Sequence, residues 1–153
     1  SVKCGVMLEV PGLIFQLAAL TPRVDFISVG SNDMLQFLFA SDRGNPQVAG
    51  RYDELAPAVI NFLGQVARHC RESDTELSLC GEMAGNPLSA MALVGLGFRT
   101  LSMSAPAIGP VKAMVRSLDL AALEKYLKDL SGAADHSLRG KLRGFASDHG
   151  VML

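Results

Sequence analysis

No block of like charge, no long apolar run and no paired cysteines occur in this chain, and each absence removes a class of function. The 14 lysines and arginines nearly balance the 15 aspartates and glutamates of its 153 residues, and nowhere do five like charges follow one another. Nucleic acid and anionic membrane surfaces are therefore not expected partners. A small ligand fits better. No stretch reaches eighteen apolar residues, and the first ten residues lack the basic and apolar blocks of a signal peptide, so the expectation is a soluble, unexported, cytoplasmic protein. Cys4, Cys70 and Cys80 are odd in number and widely spaced, which suits neither a disulfide framework nor a Cys-x-x-Cys zinc or redox site. They are expected to be reduced thiols, with Cys4 and Cys70 as small apolar core residues.

What is present is apolar residue content, at 49%, gathered into strand candidates that are hydrophobic almost throughout. Strands buried on both faces of a parallel sheet read this way. The length suits one domain. Because a strand candidate starts within a few residues of Ser1, we expect a segment of a longer polypeptide.

Apolar runs and turn signals alternate as strand, helix, strand, helix, the pattern of βαβ units. Strands are expected at Cys4–Val10, Val24–Val29, Leu77–Cys80 and Thr100–Met103. A helix should open at Pro11-Gly12 with Leu13, Ile14, Leu17 and Leu20 on one face, and another should run from Met34 to Ala40. Residues 41–55, rich in Gly, Asn, Pro, Asp and Arg, read as a long loop, and loops of that length are often functional. Helical periodicity resumes at Pro57, Asn86-Pro87 forms an N-cap and N1 pair, and a helix follows Pro106. Two further helices, Asp119–Leu130 and Asp135–Phe145, complete the chain. There is no internal repeat beyond this alternation and no low-complexity tract.

Parallel α/β proteins bind ligands at the C-terminal ends of their strands. Glu9, then Asn32 and Asp33, then Cys80-Gly81-Glu82 fall at three such ends. Glu9 and Asp33 are suitable magnesium ligands, since this cation prefers oxygen donors and usually takes one or two carboxylates; taken singly, each reads first as an ordinary surface or helix-start acid, and their placement at adjacent strand ends weakens that reading. Gly30-Ser31-Asn32-Asp33 joins strand to helix, where free N–H groups and the helix dipole can hold a phosphate or carboxylate, or it is a plain cap. Arg43 could grip the same anion with two N–H groups, or be solvated. Cys80 sits in a turn before a capped helix, where a thiol faces a pocket rather than the core and can serve as nucleophile or acid. Thiols are mostly protonated at neutral pH, so an acid role needs no activation.

Together, Gly5-Val6-Met7-Leu8-Glu9-Val10-Pro11, Val24–Asp33 (VDFISVGSND), Ala40-Ser41-Asp42-Arg43, Leu79–Asn86 (LCGEMAGN), Gly95-Leu96-Gly97 and Leu101-Ser102-Met103-Ser104 resemble the phosphoenolpyruvate-utilising enzymes. Within them the chain looks most like enzyme I of the phosphotransferase system, and VDFISVGSND with GVMLEVP is most similar to its nitrogen-regulatory branch. Pyruvate phosphate dikinase and phosphoenolpyruvate synthase share the barrel, but Met83-Ala84-Gly85 looks more like enzyme I. The resemblance spans about the first 117 residues. Ser31 stands where threonine is common, Ala56-Pro57 where His-Pro is usual and Cys4 where an aliphatic residue is expected.

The resemblance implies the C-terminal half of a (β/α)8 barrel, with residues 1–117 as a phosphoenolpyruvate-binding half-barrel and 118–153 as its helical extension. It implies Glu9 and Asp33 as Mg2+ ligands, Asn32, Asp33 and Arg43 as phosphoenolpyruvate-binding residues, and Cys80 as the proton donor that turns the enolate into pyruvate. The implied partners are phosphoenolpyruvate, a phosphocarrier protein reached through segments upstream of this one, and a second copy of the chain. The phosphorylated histidine of the family is also implied to lie upstream. A catalytically inert dimerisation or regulatory segment is the alternative, and joint retention of the five residues argues for catalysis.

Overall fold

A computed structural model describes residues 1–42, 44–48, 53–130 and 132–153. Four strands, β1 (Gly5–Leu8), β2 (Phe26–Gly30), β3 (Glu76–Cys80) and β4 (Thr100–Ser102), form one parallel sheet in the order β1-β2-β3-β4. Helices stand between successive strands, giving the α/β array expected and consistent with part of a phosphoenolpyruvate-binding barrel domain. Each strand pairs with the next in sequence, so every crossover is a local βαβ unit.

The pleat separates two sets of side chains. Leu8, Val29, Leu79 and Leu101 lie in one register row, and the first three of them are fully buried. The other face carries Met7, Ser28, Ser78 and Thr100 in one row and Gly30, Cys80 and Ser102 in the next. That second face is small, polar and partly open: Met7, Thr100 and Ser102 are exposed and Cys80 is half-buried.

The expected first helix is instead a 3-10 turn over Pro11–Gln16, a single α turn α1 (Leu17–Leu20) and a second 3-10 turn over Thr21–Arg23. Pro11 and Pro22 head the two 3-10 turns and remove N–H donors from the start of each. Helix α2 (Ser31–Phe39) begins three residues before the expected start, directly on the tip of β2. Helix α3 (Pro57–Glu72) buries Val59, Phe62, Leu63, Val66 and Cys70, and burial pushes the Cys70 thiol up to about 11. Cys4 does not share that role. It is exposed just before β1, its N–H donating to the Asp25 carboxylate at 2.6 Å and its carbonyl accepting from Asp25 N–H at 2.7 Å.

A short turn α4 (Glu82–Gly85) precedes α5 (Pro87–Leu96), whose N-cap Asn86 accepts from the Leu88 and Ser89 N–H groups as expected. Six consecutive residues of α5, Leu88 to Leu93, are buried. A helix apolar on all sides needs cover on all sides. α6 (Ala105–Ser117) lies on one flank, and α7 (Leu120–Asp129) and α8 (Arg139–Asp148) cover others, bringing Leu123, Leu127, Leu142 and Phe145 into the core. α8 starts four residues later than expected, because Ser137 and Leu138 are engaged by Asp53 and Leu55.

Candidate functional site

The tips of β2, β3 and β4 end level, since Gly30 pairs with Cys80 and Cys80 with Ser102. Gly30 carries no side chain, and this leaves a gap in the row between Glu9, just past β1, and Cys80. A Cβ built on Gly30 would lie 3.2 Å from Glu9 Oε2 and 3.2 Å from Met7 Sδ. Glu9 thus folds over bare backbone. Across the gap, Cys80 Sγ lies 3.6 Å from the Val29 carbonyl and 3.9 Å from Met7 Sδ.

No side chain caps α2, so its leading N–H groups and dipole remain suited to an anion. Asn32 is in its first turn. Its Oδ1 accepts the Glu82 N–H at 3.1 Å, which fixes the amide so that Nδ2, with no hydrogen-bond partner among the described residues, is the group left to donate. Asp33 Oδ1 accepts from Gln36 Nε2 at 2.9 Å within the same helix. Beneath Asn32, Ser31 Oγ donates to the Cys80 carbonyl at 2.9 Å.

Between these tips Gly81 adopts φ +121°, ψ 179°, a region essentially closed to residues with a Cβ. A Cβ there would sit 2.2 Å from Ser31 Oγ and 2.9 Å from Asn32 Oδ1. The turn is a glycine turn because two side chains occupy the space.

Asn32, Cys80, Gly81, Glu82, Ser102 and Ser104 line an open cavity of about 640 Å3. Of the residues singled out from sequence, Asn32 and Cys80 are therefore brought together on one wall, with Glu9 on the same sheet face. Asp33 lies one residue along α2 from Asn32 and does not line the cavity. Arg43 is outside the described residues. Among those described, no group of three or more His, Cys, Asp and Glu side chains gathers into a ready-made metal cage.

One cluster was not read from the sequence. A second cavity, of about 280 Å3, adjoins Asn32 and Glu82 and is lined by Asp53, Glu54 and Arg139. Arg139 Nη2 bonds Asp53 Oδ1 at 3.0 Å and lies 3.6 Å from Glu54 Oε1, Ser137 donates to Asp53, and Ser89 donates to Glu54. Leu138 N–H meets the Leu55 carbonyl at 2.8 Å. The end of the long loop is thereby latched to α5 and to the C-terminal segment. Only the adjacency of two acids at the loop's end hinted at it.

Burial alone would raise the Asp53 pKa, but the Ser137 hydroxyl, the Leu55 N–H and Arg139 together hold the carboxyl below its usual value. A carboxyl depressed in the folded state adds stability above the ordinary carboxylate range and loses it as pH falls through the folded value. Arg139→Ala should accordingly move the acid-unfolding midpoint to higher pH and cost up to about 1 kcal/mol at neutral pH. Circular dichroism during acid titration of both proteins measures this. Superimposed curves would mean that the latch adds nothing.

The phosphoenolpyruvate-binding domain of the phosphoenolpyruvate-utilising enzymes matches residues 1–120. The chain belongs to that family. Similar proteins include the Escherichia coli K12 "Phosphoenolpyruvate-dependent phosphotransferase system", 40% identical over 97% of this chain and 20% of that protein. Its Salmonella typhimurium LT2 counterpart is 45% identical over 76% of this chain and 16% of that protein. The Escherichia coli K12 "Multiphosphoryl transfer protein 1" is 38% identical over 78% and 14% respectively. The chain thus spans a fifth or less of the length of these relatives. No helix among its described residues is long and apolar enough to cross a membrane.

Proposed function

We propose that this chain forms the phosphoenolpyruvate-binding, proton-donating part of a phosphoenolpyruvate-protein phosphotransferase of the enzyme I type. One observation carries the reading: Asn32 and Cys80 share a wall of the open cavity at the strand tips, with Glu9 across the bare backbone of Gly30. The run VDFISVGSND supports the nitrogen-regulatory branch, and a cytoplasmic setting accords with it. The exposed Phe15 and Phe37 and the outer edges of β1 and β4, at which the sheet ends among the described residues, support association with further protein, including a second copy.

In this reading Asn32 Nδ2 and the α2 N-terminus hold the phosphate, with Arg43 as a second grip. Glu9 and Asp33 suit Mg2+ by donor chemistry, two hard carboxylates with the remaining positions left to substrate oxygens and water. The ion, when bound, offsets charge on the phosphoryl and enolate oxygens. As the P–O bond to the enolate breaks, a P–N bond forms to a histidine carried by another segment. The enolate carbon then takes the proton of the Cys80 thiol to give pyruvate, and solvent returns a proton to the thiolate. Asn32 and Cys80 need only be held still for this.

The test uses a longer phosphotransferase containing this segment. Glu9→Gln and Asp33→Asn should each raise the magnesium concentration for half-maximal pyruvate release by about tenfold or more, as loss of one charged ligand implies. Unchanged magnesium dependence in both would remove these residues from the metal site.

A further inference from the structure

We propose that Ser31 is a positioning residue, whose buried hydroxyl holds the thiol-bearing tip of β3 in fixed relation to Asn32. The proposal rests on the function proposed above. Ser31 is fully buried at the first position of α2, yet its side chain does not cap that helix. It reaches across to the neighbouring strand and donates to the carbonyl of Cys80, itself a residue of the cavity lining. One residue further along α2 and two past Cys80, Asn32 Oδ1 accepts from Glu82 N–H. These two bonds straddle Gly81, whose missing Cβ makes room for Ser31 Oγ and Asn32 Oδ1.

The consequence is geometric. Cys80 is the last residue of β3, and the chain leaves it through a glycine in a conformation that offers little stiffness of its own. The carbonyl of Cys80 belongs to the peptide unit that opens the turn, so holding it restrains the backbone from which Sγ projects and, with the Asn32 bond, the path of Gly81 to Glu82 N–H. Glu82 N–H in turn fixes the Asn32 amide. Loss of the Ser31 hydroxyl takes this bond away from a part-buried carbonyl and loosens that unit. Ser31 itself does not line the cavity, so it acts through Cys80 and Asn32 and not on the substrate.

A role of this kind has a signature that packing lacks. In a phosphotransferase containing this segment, Ser31→Ala should lower kcat for pyruvate release about tenfold, the scale of one hydrogen bond, with a smaller rise in KM for phosphoenolpyruvate through the loosened Asn32 amide. The rate at which iodoacetamide alkylates Cys80, read by peptide mass spectrometry against the distant exposed Cys4, should change too. Ser31→Thr, which keeps the hydroxyl, should restore both. Unaltered kcat and alkylation in Ser31→Ala, or equal loss in Ser31→Thr, overturns the proposal. If Ser31→Ala does not fold, Ser31→Thr decides alone, near-native kcat and alkylation supporting the role and losses in both ending it. A wild-type protein that releases no pyruvate defeats the proposed function instead, and the alkylation comparison still reports on Ser31.

Discussion

Cys80→Ala is expected to lower kcat for pyruvate formation roughly a hundredfold to ten-thousandfold, the range over which a positioned acid or base acts, while KM for phosphoenolpyruvate stays near its native value. A proton donor is used in the transition state and adds little to ground-state binding. The geometry makes the discrimination clean. The hydrogen-bond partners of Cys80 Sγ among the described residues are the Val29 carbonyl and Met7 Sδ, and the residue is only half-buried, so truncation opens no deep core cavity and the fold should persist. Rapid-quench measurement adds a second check: phosphoryl transfer to histidine should continue while pyruvate lags behind it. An unchanged turnover number would reduce Cys80 to a packing residue.

Gly81→Ala should be more damaging, because it attacks backbone and side chains together. The φ of +121° with extended ψ costs a residue bearing a Cβ about 1–3 kcal/mol. Overpacking against Ser31 Oγ and Asn32 Oδ1 adds about 1–3 kcal/mol more. The melting temperature should fall on the order of 10 °C, and turnover should fall with it, since both bonds across the turn are displaced. Gly12→Ala is the control. A Cβ at Gly12 meets nothing within 4 Å, so thermal denaturation should barely register it. If Gly81→Ala melted like Gly12→Ala, the turn would be far more compliant than its contacts indicate.

The strands were legible because their apolar rows are dictated by burial, and their observed limits differ from the expected ones by a few residues at most. Boundaries were less so. Gly30-Ser31-Asn32-Asp33 has loop composition, yet Ser31 is drawn into α2 because its hydroxyl finds the Cys80 carbonyl on another strand. The late start of α8 has the same kind of cause, a bond from Ser137 to Asp53 84 residues away. The apolar-core expectation for Cys4 failed because residue type says nothing about which end of a strand meets solvent. At the site, Asn32 and Cys80 could be placed together from the rule that strand tips carry ligands. The Asp53, Glu54 and Arg139 cluster could not, as it exists only once α8 has folded back.

That return of the C-terminal segment sets where a transplantable unit ends. A graft between this chain and a relative cut at residue 120, where the family match stops, would strip Arg139 and Ser137 from Asp53 and leave two neighbouring acids without their counter-charge beside Asn32. It would also uncover the flank of α5 that Leu142 and Phe145 help to bury. The natural seam for modular exchange lies past α8, after Val151 has packed into the core, so that donor and recipient trade the rim of the pocket together with the brace that holds it.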